Sequence, residues 1–194
     1  MRLILASSSP RRQDLLRAAG FSFEVISPDV DEFLFPGEDP QAAVMRLAEL
    51  KALAVHTQEP DAMILAADTA VVLDGEMLGK PEDEEDARWM LTSLSGRGHE
   101  VITGFALLTG KALHREAVLT RVWFRELSDA EIDAYIATGE PMDKAGAYGI
   151  QSGAAHMVRS IEGSYTNVVG LPMAEVVDAL AGGSGEEWGD EVLG

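Results

Sequence analysis

The sequence predicts an α/β fold in which helices cover a mixed β-sheet. Short apolar runs are followed by segments with helical periodicity, and the run Leu3-Ile4-Leu5-Ala6 before a helix that begins at Pro10 is the first example. An Asp-Gly pair at residues 74–75 and two long adjacent strand-like segments predict hairpins, whose strands are antiparallel. Because crossover connections and hairpins occur in one chain, we expect a mixed sheet.

Caps, turn residues and apolar runs predict the order of the elements. Ser9 is expected to cap the first helix, which ends at Gly20, and Pro40 begins the second helix. The strand predicted at 63–67 is expected to end at the Asp68-Thr69 pair. The predicted strands lie at 3–6, 21–26, 63–67, 99–108, 113–126 and 156–161, with a hairpin at 71–78, and the predicted helices at 10–20, 40–56, 82–96, 128–139 and 171–181.

The charge of the chain limits its partners. The 15 basic and 33 acidic residues give a formal net charge of −18 and a pI near 4.4. Broad binding to nucleic acid or to an anionic membrane rests on basic surface, so neither partner is expected. An anionic small molecule remains compatible with this composition, provided that basic groups are concentrated where it binds.

Targeting segments and cysteine chemistry are not predicted. No apolar stretch reaches the roughly 20 residues of a membrane span, and the apolar run at 3–6 is too short for a signal peptide. The absence of cysteine excludes disulfides, thiolate metal sites and a cysteine nucleophile. We therefore expect a cytoplasmic enzyme or binding protein, with a single domain over 1–181 and a disordered acidic tail over 182–194.

The turn before the first helix is a candidate anion site. Ser7, Ser8 and Ser9 precede Pro10, and two arginines, Arg11 and Arg12, follow it in the first helical turn. A helix N-terminus offers free N–H groups and partial positive charge, and arginines there are unfavourable unless an anion is bound. The alternative is a capped helix with solvated arginines. Because the pattern GxxxxGK[ST] is missing, this is not a Walker A loop.

Lys51 is the second candidate. On the predicted second helix, Val44, Leu47, Leu50 and Ala54 share one face, and Lys51 projects between the directions of Val44 and Leu47. Its ammonium therefore points toward the interior or toward a cleft beside it. The alternative is a lysine whose stem covers the edge of the core while its charge reaches water.

Three carboxylates form the third candidate. Asp31 and Glu32 share one loop, and Asp68 follows a buried strand, at the kind of position where ligands bind in α/β sheets. Carboxylates that face a triphosphate need a cation between them, and hard oxygen ligands favour Mg²⁺ or Mn²⁺. The alternative for the loop pair is an exposed turn. Asp68 needs a partner if it is buried, and Lys80, between Gly79 and Pro81, is a candidate partner or phosphate ligand.

A glycine-rich loop is the fourth candidate. Gly146 and Gly149 allow close approach of the backbone to a ligand, and the Gln151 amide can pair with the edge of a base. The alternative is a plain turn. The spacing does not match GxGxxG, the histidines lack metal-ligand spacing, and no GxSxG elbow is present.

Together these segments resemble the Maf family of nucleoside triphosphate pyrophosphatases, and the segment at 143–151 resembles its dTTP/UTP subgroup. The matching stretches are ASSSPRRQDLL, PDVDE, RLAELKA, AADTAVVLDGEMLGKP, LSGRGHEVITG, TGEPMDKAGAYGIQ and IEGSYTNVVGLP. The resemblance implies an elongated, twisted mixed sheet flanked by helices, with two lobes and a central cleft, as in inosine triphosphate pyrophosphatases. It also implies hydrolysis of dTTP, UTP or modified pyrimidine triphosphates between the α and β phosphates with Mg²⁺ or Mn²⁺, and it is compatible with a homodimer.

The resemblance also implies roles for individual residues. Asp68 matches the proton acceptor of the family. Positions tied to substrate specificity match Arg12, Thr69 and Gln151, while positions around metal and phosphates match Glu32, Lys51 and Lys80. We expect Glu32 and Asp68 to hold the metal, and Ser7 and Arg11 to add donors for the phosphates. The sequence departs from the family at Asp31, where relatives often have glutamate, and at Ser152, where they often have glycine.

Two other functions remain open at this point. A non-catalytic nucleotide-binding regulator of cell division would bind a triphosphate without releasing pyrophosphate. A phosphotransferase is disfavoured by the missing Walker A loop.

Overall fold

The computed structural model describes residues 1–110 and 112–182, so the predicted tail beyond Gly182 lies outside the described residues. The strands are β1 (Leu3–Ala6), β2 (Glu24–Val25), β3 (Met63–Leu73), β4 (Glu76–Leu78), β5 (Gly98–Thr109), β6 (Ala112–Phe124) and β7 (Val158–Glu162). The helices are α1 (Pro10–Ala18), α2 (Pro40–His56), α3 (Glu84–Leu94), α4 (Asp129–Ile136), α5 (Tyr165–Val169) and α6 (Met173–Gly182). Single 3-10 turns lie at Glu140–Asp143, Ala145–Ala147 and Ala155–Met157.

The strands form one mixed sheet. Their order is β2-β1-β3-β5-β6-β7, and β4 pairs with β3 outside this path. The pairs of β1 with β2 and with β3 are parallel, whereas β3–β4 and β6–β7 are antiparallel. The predicted combination of crossovers and hairpins is therefore confirmed.

The chain divides into two compact units. Among the described residues, the first contains 1–68, 103–110, 112–118 and 170–182, and the second contains 69–102 and 119–169. The single domain predicted over 1–181 stays a prediction. Gly182, predicted to begin the tail, is the last residue of α6.

The core of the first unit has two layers, which follow from the alternation of apolar residues in β1. Leu3 and Leu5 belong to a cluster with residues of α1 and α6, while Ile4 and Ala6 belong to a cluster with residues of α2. A fully buried leucine or isoleucine stabilises a fold by about 1.5–3 kcal/mol relative to an exposed one. Because successive side chains of a strand point to opposite faces, α1 and α2 cover opposite faces of the sheet.

A glycine lets α2 approach the sheet of the first unit closely. A Cβ built on Gly104 of β5 would lie 2.6 Å from the Val44 carbonyl carbon and 2.7 Å from Met45 N. Backbone atoms of a helix cannot swing aside as a flexible side chain does, so only glycine fits here. This contact sets the position of the helix that carries Lys51.

The second unit contains the predicted hairpin and a buried aromatic cluster. Asp74 and Gly75 have positive φ values of 54° and 86°, as a two-residue hairpin turn requires. His99 Nε2 lies 2.8 Å from the Tyr148 hydroxyl, and both rings contact Phe124 edge to face. Burial lowers the pKa of His99 to about 4, which keeps the ring neutral near pH 7.

The structure differs from the sequence expectations in three elements. The strand expected to end at Asp68 continues through it as β3, and the strand expected at 21–26 is reduced to the two residues of β2. The short helix α5 was not expected. In β3, pairing with β1 and then with β4 keeps the backbone extended on both sides of the polar Asp68-Thr69 pair.

Candidate functional site

Lys51 lies between two carboxylates in the first unit. Its Nζ is 2.6 Å from Asp68 Oδ1 and 3.1 Å from Glu32 Oε1. Exposed fractions of the side chains are 7% for Lys51, 14% for Asp68 and 50% for Glu32. The interior orientation of Lys51 is therefore the correct alternative, and within the first unit Lys51 is a partner of Asp68.

The local fold explains why Lys51 points inward. The buried residues of α2 include Val44, Leu47, Lys51 and Val55, which are three or four positions apart and therefore share one face. Leu50, expected on that face, is exposed instead. The apolar face is rotated from the predicted one, so it carries Lys51 to Asp68 in the middle of β3.

Of the two loop carboxylates, only Glu32 contacts Lys51. Asp31 and Glu32 are both exposed residues of the segment between β2 and α2. The Glu32 side chain reaches the ammonium at 3.1 Å, whereas the described contacts of Lys51 do not include Asp31.

The turn before α1 holds Arg12 in place. Ser9 occupies the N-cap position, but its side chain makes no capping hydrogen bond within the described residues. Ser7 Oγ instead accepts from Ser9 N and from Arg12 Nη1, each at 3.2 Å. Arg12 Nε donates to Gly170 O at 2.7 Å, across 158 residues of sequence. The guanidinium thus links the turn before α1 to the segment between α5 and α6.

Arg12 belongs electrostatically to the same cluster as the two carboxylates. Burial lowers the pKa of Arg12 from its ordinary value, the charges of Asp68 and Glu32 raise it, and the charge of Arg11 lowers it. Arginine remains charged under such shifts. Of the predicted residues, the first unit therefore holds Ser7 against Arg12 and Lys51 between Glu32 and Asp68, and the Arg12 guanidinium interacts electrostatically with both carboxylates and with Arg11.

The donors of this cluster fit a hard divalent cation. Glu32 and Asp68 converge on one point, the Lys51 ammonium, and both supply carboxylate oxygens, the ligands that Mg²⁺ and Mn²⁺ prefer. Within residues 1–110 and 112–182, no group of three or more His, Cys, Asp or Glu side chains could hold a metal ion. A site with two protein carboxylates matches Mg²⁺, which usually keeps several waters and takes substrate phosphates as further ligands.

The other three predicted site residues belong to the second unit. Thr69 is half-buried in β3, and Lys80 and Gln151 are exposed. Gly146 N donates to Gly79 O at 3.0 Å, which ties the glycine-rich loop to the segment that carries Lys80. Within this unit, the two segments are therefore neighbours.

The loop around Gln151 is braced on both sides. Tyr135 Oη accepts from Gly149 N at 3.3 Å, and Glu140 Oε2 accepts from Gly153 N at 3.1 Å. Hydrogen bonds from Ser152 and then from Gly153 lower the pKa of Glu140. Ser152, which departs from the family pattern, also has its Oγ 3.3 Å from Gly149 O. Its hydroxyl thus adds to the bracing of the loop.

A search of the described helices for a membrane span was negative. Across residues 1–110 and 112–182, none combines the length and the apolar character that crossing a bilayer requires.

Comparison with known proteins identifies close relatives. A family model described as "Maf-like protein" matches residues 2–182. A protein of Citrifermentans bemidjiense named dTTP/UTP pyrophosphatase is 57% identical over 180 residues, which cover 92% of this chain and 93% of the relative. A protein of the same name from Symbiobacterium thermophilum is 54% identical over 181 residues, which cover 92% of each chain.

Solved structures of low sequence identity share the fold. A HAM1 protein of Coxiella burnetii has a TM-score of 0.56 at 14% identity, covering 93% of this chain and 98% of that one. The Ham1 protein of Staphylococcus aureus has a TM-score of 0.52 at 14% identity, covering 95% and 100%. These likenesses concern the fold alone, and they confirm the predicted α/β fold with a mixed sheet flanked by helices. The family match over nearly the whole described chain, with relatives above 50% identity, establishes that this chain belongs to the Maf family.

Proposed function

We propose that this chain hydrolyses pyrimidine nucleoside triphosphates, dTTP and UTP among them, between the α and β phosphates. The products are the nucleoside monophosphate and pyrophosphate. Relatives at 57% identity that are named dTTP/UTP pyrophosphatase support the substrate class. The observation that carries the chemistry is the contact of the Lys51 ammonium with both Asp68 and Glu32. The proposal includes a cytoplasmic location, where nucleoside triphosphates are made and used.

Asp68 is assigned as the proton acceptor for the attacking water. Its Oδ1 is held by Lys51 at 2.6 Å, so Oδ2 is the oxygen left to accept a proton from water. A general base must lie within hydrogen-bond reach of the proton that it takes, and a side chain in the middle of a strand is held rigidly enough for that task. Glu32 and Asp68 are assigned as ligands of Mg²⁺ or Mn²⁺, which when bound supplies charge neutralisation at the phosphates.

Cationic side chains are assigned to the departing pyrophosphate. Arg12 offers a rigid guanidinium that can make paired hydrogen bonds to phosphate oxygens, and Ser7 and Arg11 add donors beside it. Lys51 and Lys80 add compact positive charges. Fixed cations that face the charge developing on a leaving group lower the barrier without reorganisation, as is general for phosphoryl transfer.

Thr69 and Gln151 are assigned to the base. The Gln151 amide has one donor and one acceptor group, which can pair with the edge of a pyrimidine. The bracing of its loop by Tyr135 and Glu140 supports this assignment, because an amide reads a base only if its position is held. Gln151→Ala should change the ranking of dTTP, UTP and CTP more than the rate on the best substrate. A ranking that stays the same would remove Gln151 from this role.

The decisive experiment measures product release. The purified chain is incubated with dTTP and Mn²⁺, and pyrophosphate and orthophosphate are quantified separately. Pyrophosphate with dTMP supports the proposal, orthophosphate supports a phosphatase or phosphotransferase, and tight binding without turnover supports a non-catalytic regulator. Asp68→Asn should lower turnover by at least about 100-fold, the usual scale for loss of a general base, while nucleotide binding persists. Asp61→Asn, at an exposed residue before β3, is the matched control.

A further inference from the structure

The loop that carries Glu32 is fastened to α2 by one arginine. Arg46 Nε lies 2.7 Å from Glu38 Oε1, and Arg46 Nη2 lies 2.7 Å from Glu38 Oε2. This is the paired geometry in which a planar guanidinium meets both oxygens of a carboxylate. The hydrogen bond with Glu38 raises the pKa of Arg46, and the same bond lowers the pKa of Glu38.

The same guanidinium holds the part of the loop next to Glu32. Arg46 Nη2 donates to Phe33 O at 2.9 Å, and the guanidinium carbon lies 4.5 Å from the centre of the Phe35 ring. Glu38 Oε2 also accepts from Phe35 N at 3.2 Å. Arg46 therefore contacts the loop at Phe33, Phe35 and Glu38, and Phe33 directly follows Glu32.

This fastening matters because Glu32 has little other support. Its side chain is half exposed, and the chain between β2 and α2 contains no helix or strand. Arg46 and Lys51 lie on the same helix, so a loop bound to Arg46 is held at a fixed position relative to the Lys51 ammonium. The distance of 3.1 Å between Glu32 Oε1 and Lys51 Nζ depends on that position of the loop.

We propose that Arg46 is a positioning residue that keeps the Glu32 carboxylate directed at the divalent-cation site. This inference rests on the proposed function, which assigns Glu32 to the cation. Arg46 acts through Glu38 and the backbone of Phe33 and does not itself touch the ligand.

The sign of the effect on cation affinity separates positioning from simple electrostatics. Arg46 carries a positive charge that interacts with Asp68. Electrostatics alone would therefore make Arg46→Ala bind Mn²⁺ more tightly, because a repelling charge is removed. Positioning predicts the opposite, a loss of about tenfold in Mn²⁺ affinity, the scale found when groups that orient a metal ligand are removed. Arg46→Lys keeps the charge without the paired geometry and should give an intermediate loss.

The test titrates Mn²⁺ by electron paramagnetic resonance without nucleotide and follows hydrogen exchange of residues 31–38. Arg46→Ala and Glu38→Gln should both weaken Mn²⁺ binding and speed exchange of this loop. In a Glu32→Gln background, Arg46→Ala should cause no further loss of affinity, because the effect passes through Glu32. Arg125→Ala, which breaks the Arg125–Glu131 pair of the second unit, is the matched control and should leave both readouts unchanged.

Unchanged or tighter Mn²⁺ binding by Arg46→Ala, or the same loss with and without Glu32, would overturn the proposal. Pyrophosphate release by the native chain tests the proposed function separately. If the native chain binds no Mn²⁺, the assignment of Glu32 to the cation fails. Hydrogen exchange of residues 31–38 in Arg46→Ala then decides whether Arg46 holds the loop. Exchange as slow as in the native chain would reject that role as well.

Discussion

Lys51 Nζ and Asp68 Oδ1 lie 2.6 Å apart, with both side chains largely shielded from water. Shielded charges interact more strongly than exposed ones, and each is costly without its partner. Glu32 adds a second carboxylate at 3.1 Å, so one ammonium balances two negative charges. These three groups together carry one negative charge, with which the nearby Arg12 guanidinium also interacts.

Lys51→Met should increase the stabilisation of the fold by divalent cations. Removal of the ammonium leaves two carboxylates close together, and a cost of about 2 kcal/mol is expected, below the 3–5 kcal/mol of fully buried pairs because water reaches Glu32. A cation bound by the native state alone stabilises the fold by mass action. Thermal unfolding with and without Mn²⁺ measures this, and the stabilisation by Mn²⁺ should be larger in Lys51→Met than in the native chain. Lys80→Met is the control, and an equal response in both variants would contradict the prediction.

Gly104→Ala should destabilise the chain and disturb the site together. The added Cβ would meet the backbone of Val44 and Met45 at 2.6–2.7 Å, so α2 must shift away from β5. Overpacking of this kind costs about 1–3 kcal/mol. Because α2 carries Arg46 and Lys51, Mn²⁺ affinity should fall as well. Urea unfolding and Mn²⁺ titration measure the two effects. At Gly79 a Cβ would meet nothing within 4 Å, so Gly79→Ala should change the free energy of unfolding little.

His99 should make the fold less stable in acid. Burial lowers the pKa of His99 from 6.5 to about 4. Between these two pH values the unfolded chain binds a proton that the folded chain does not, so stability falls as pH falls. The resulting loss in the free energy of unfolding is small above pH 6.5 and reaches about 3 kcal/mol near pH 4.

His99→Phe isolates this contribution. The variant loses the hydrogen bond with the Tyr148 hydroxyl, which lowers stability by a similar amount at every pH. Urea unfolding at several pH values between 7.5 and 4.5 should show a shallower loss of stability in the variant than in the native chain. Carboxylates titrate in both proteins, so their contribution to the pH dependence of stability cancels when the two profiles are compared. Parallel pH profiles would show that His99 does not titrate in this way.

Gly146→Ala should alter the ranking of bases as well as stability. Gly146 has a φ of 65°, and its Cβ would lie 2.8 Å from Val71 Cγ1. Its N–H also ties the loop of Gln151 to the segment of Lys80. We expect a shift of base ranking in the direction caused by Gln151→Ala, measured by relative kcat/KM on dTTP, UTP and CTP.

Gly139→Ala is the matched control for Gly146→Ala. Gly139 has a φ of 74°, but a Cβ there would meet nothing within 4 Å. Both variants therefore carry the backbone cost of about 1–2 kcal/mol for a left-handed alanine, and only Gly146→Ala adds the contact with Val71. Equal effects of the two variants on base ranking would contradict the argument.

Elements whose signals are local could be predicted from the amino-acid sequence. Pro40 at the first position of α2 and the Asp-Gly turn after β3 act within a few residues, and each lies where it was predicted. Motif stretches also identified the family and the candidate residues, because phosphate and metal chemistry uses few residue types in narrow patterns.

Which of those residues come into contact depends on how the helices and strands pack together. The sequence left two orientations open for Lys51, and the face of α2 that packs on the sheet brings its ammonium to Asp68. Arg12 reaches Gly170 across 158 residues, and nothing in the local pattern marked Arg46 as the anchor of the Glu32 loop. The physical reason is that such contacts depend on how closely elements pack, as at Gly104, and local propensities carry no information about that distance.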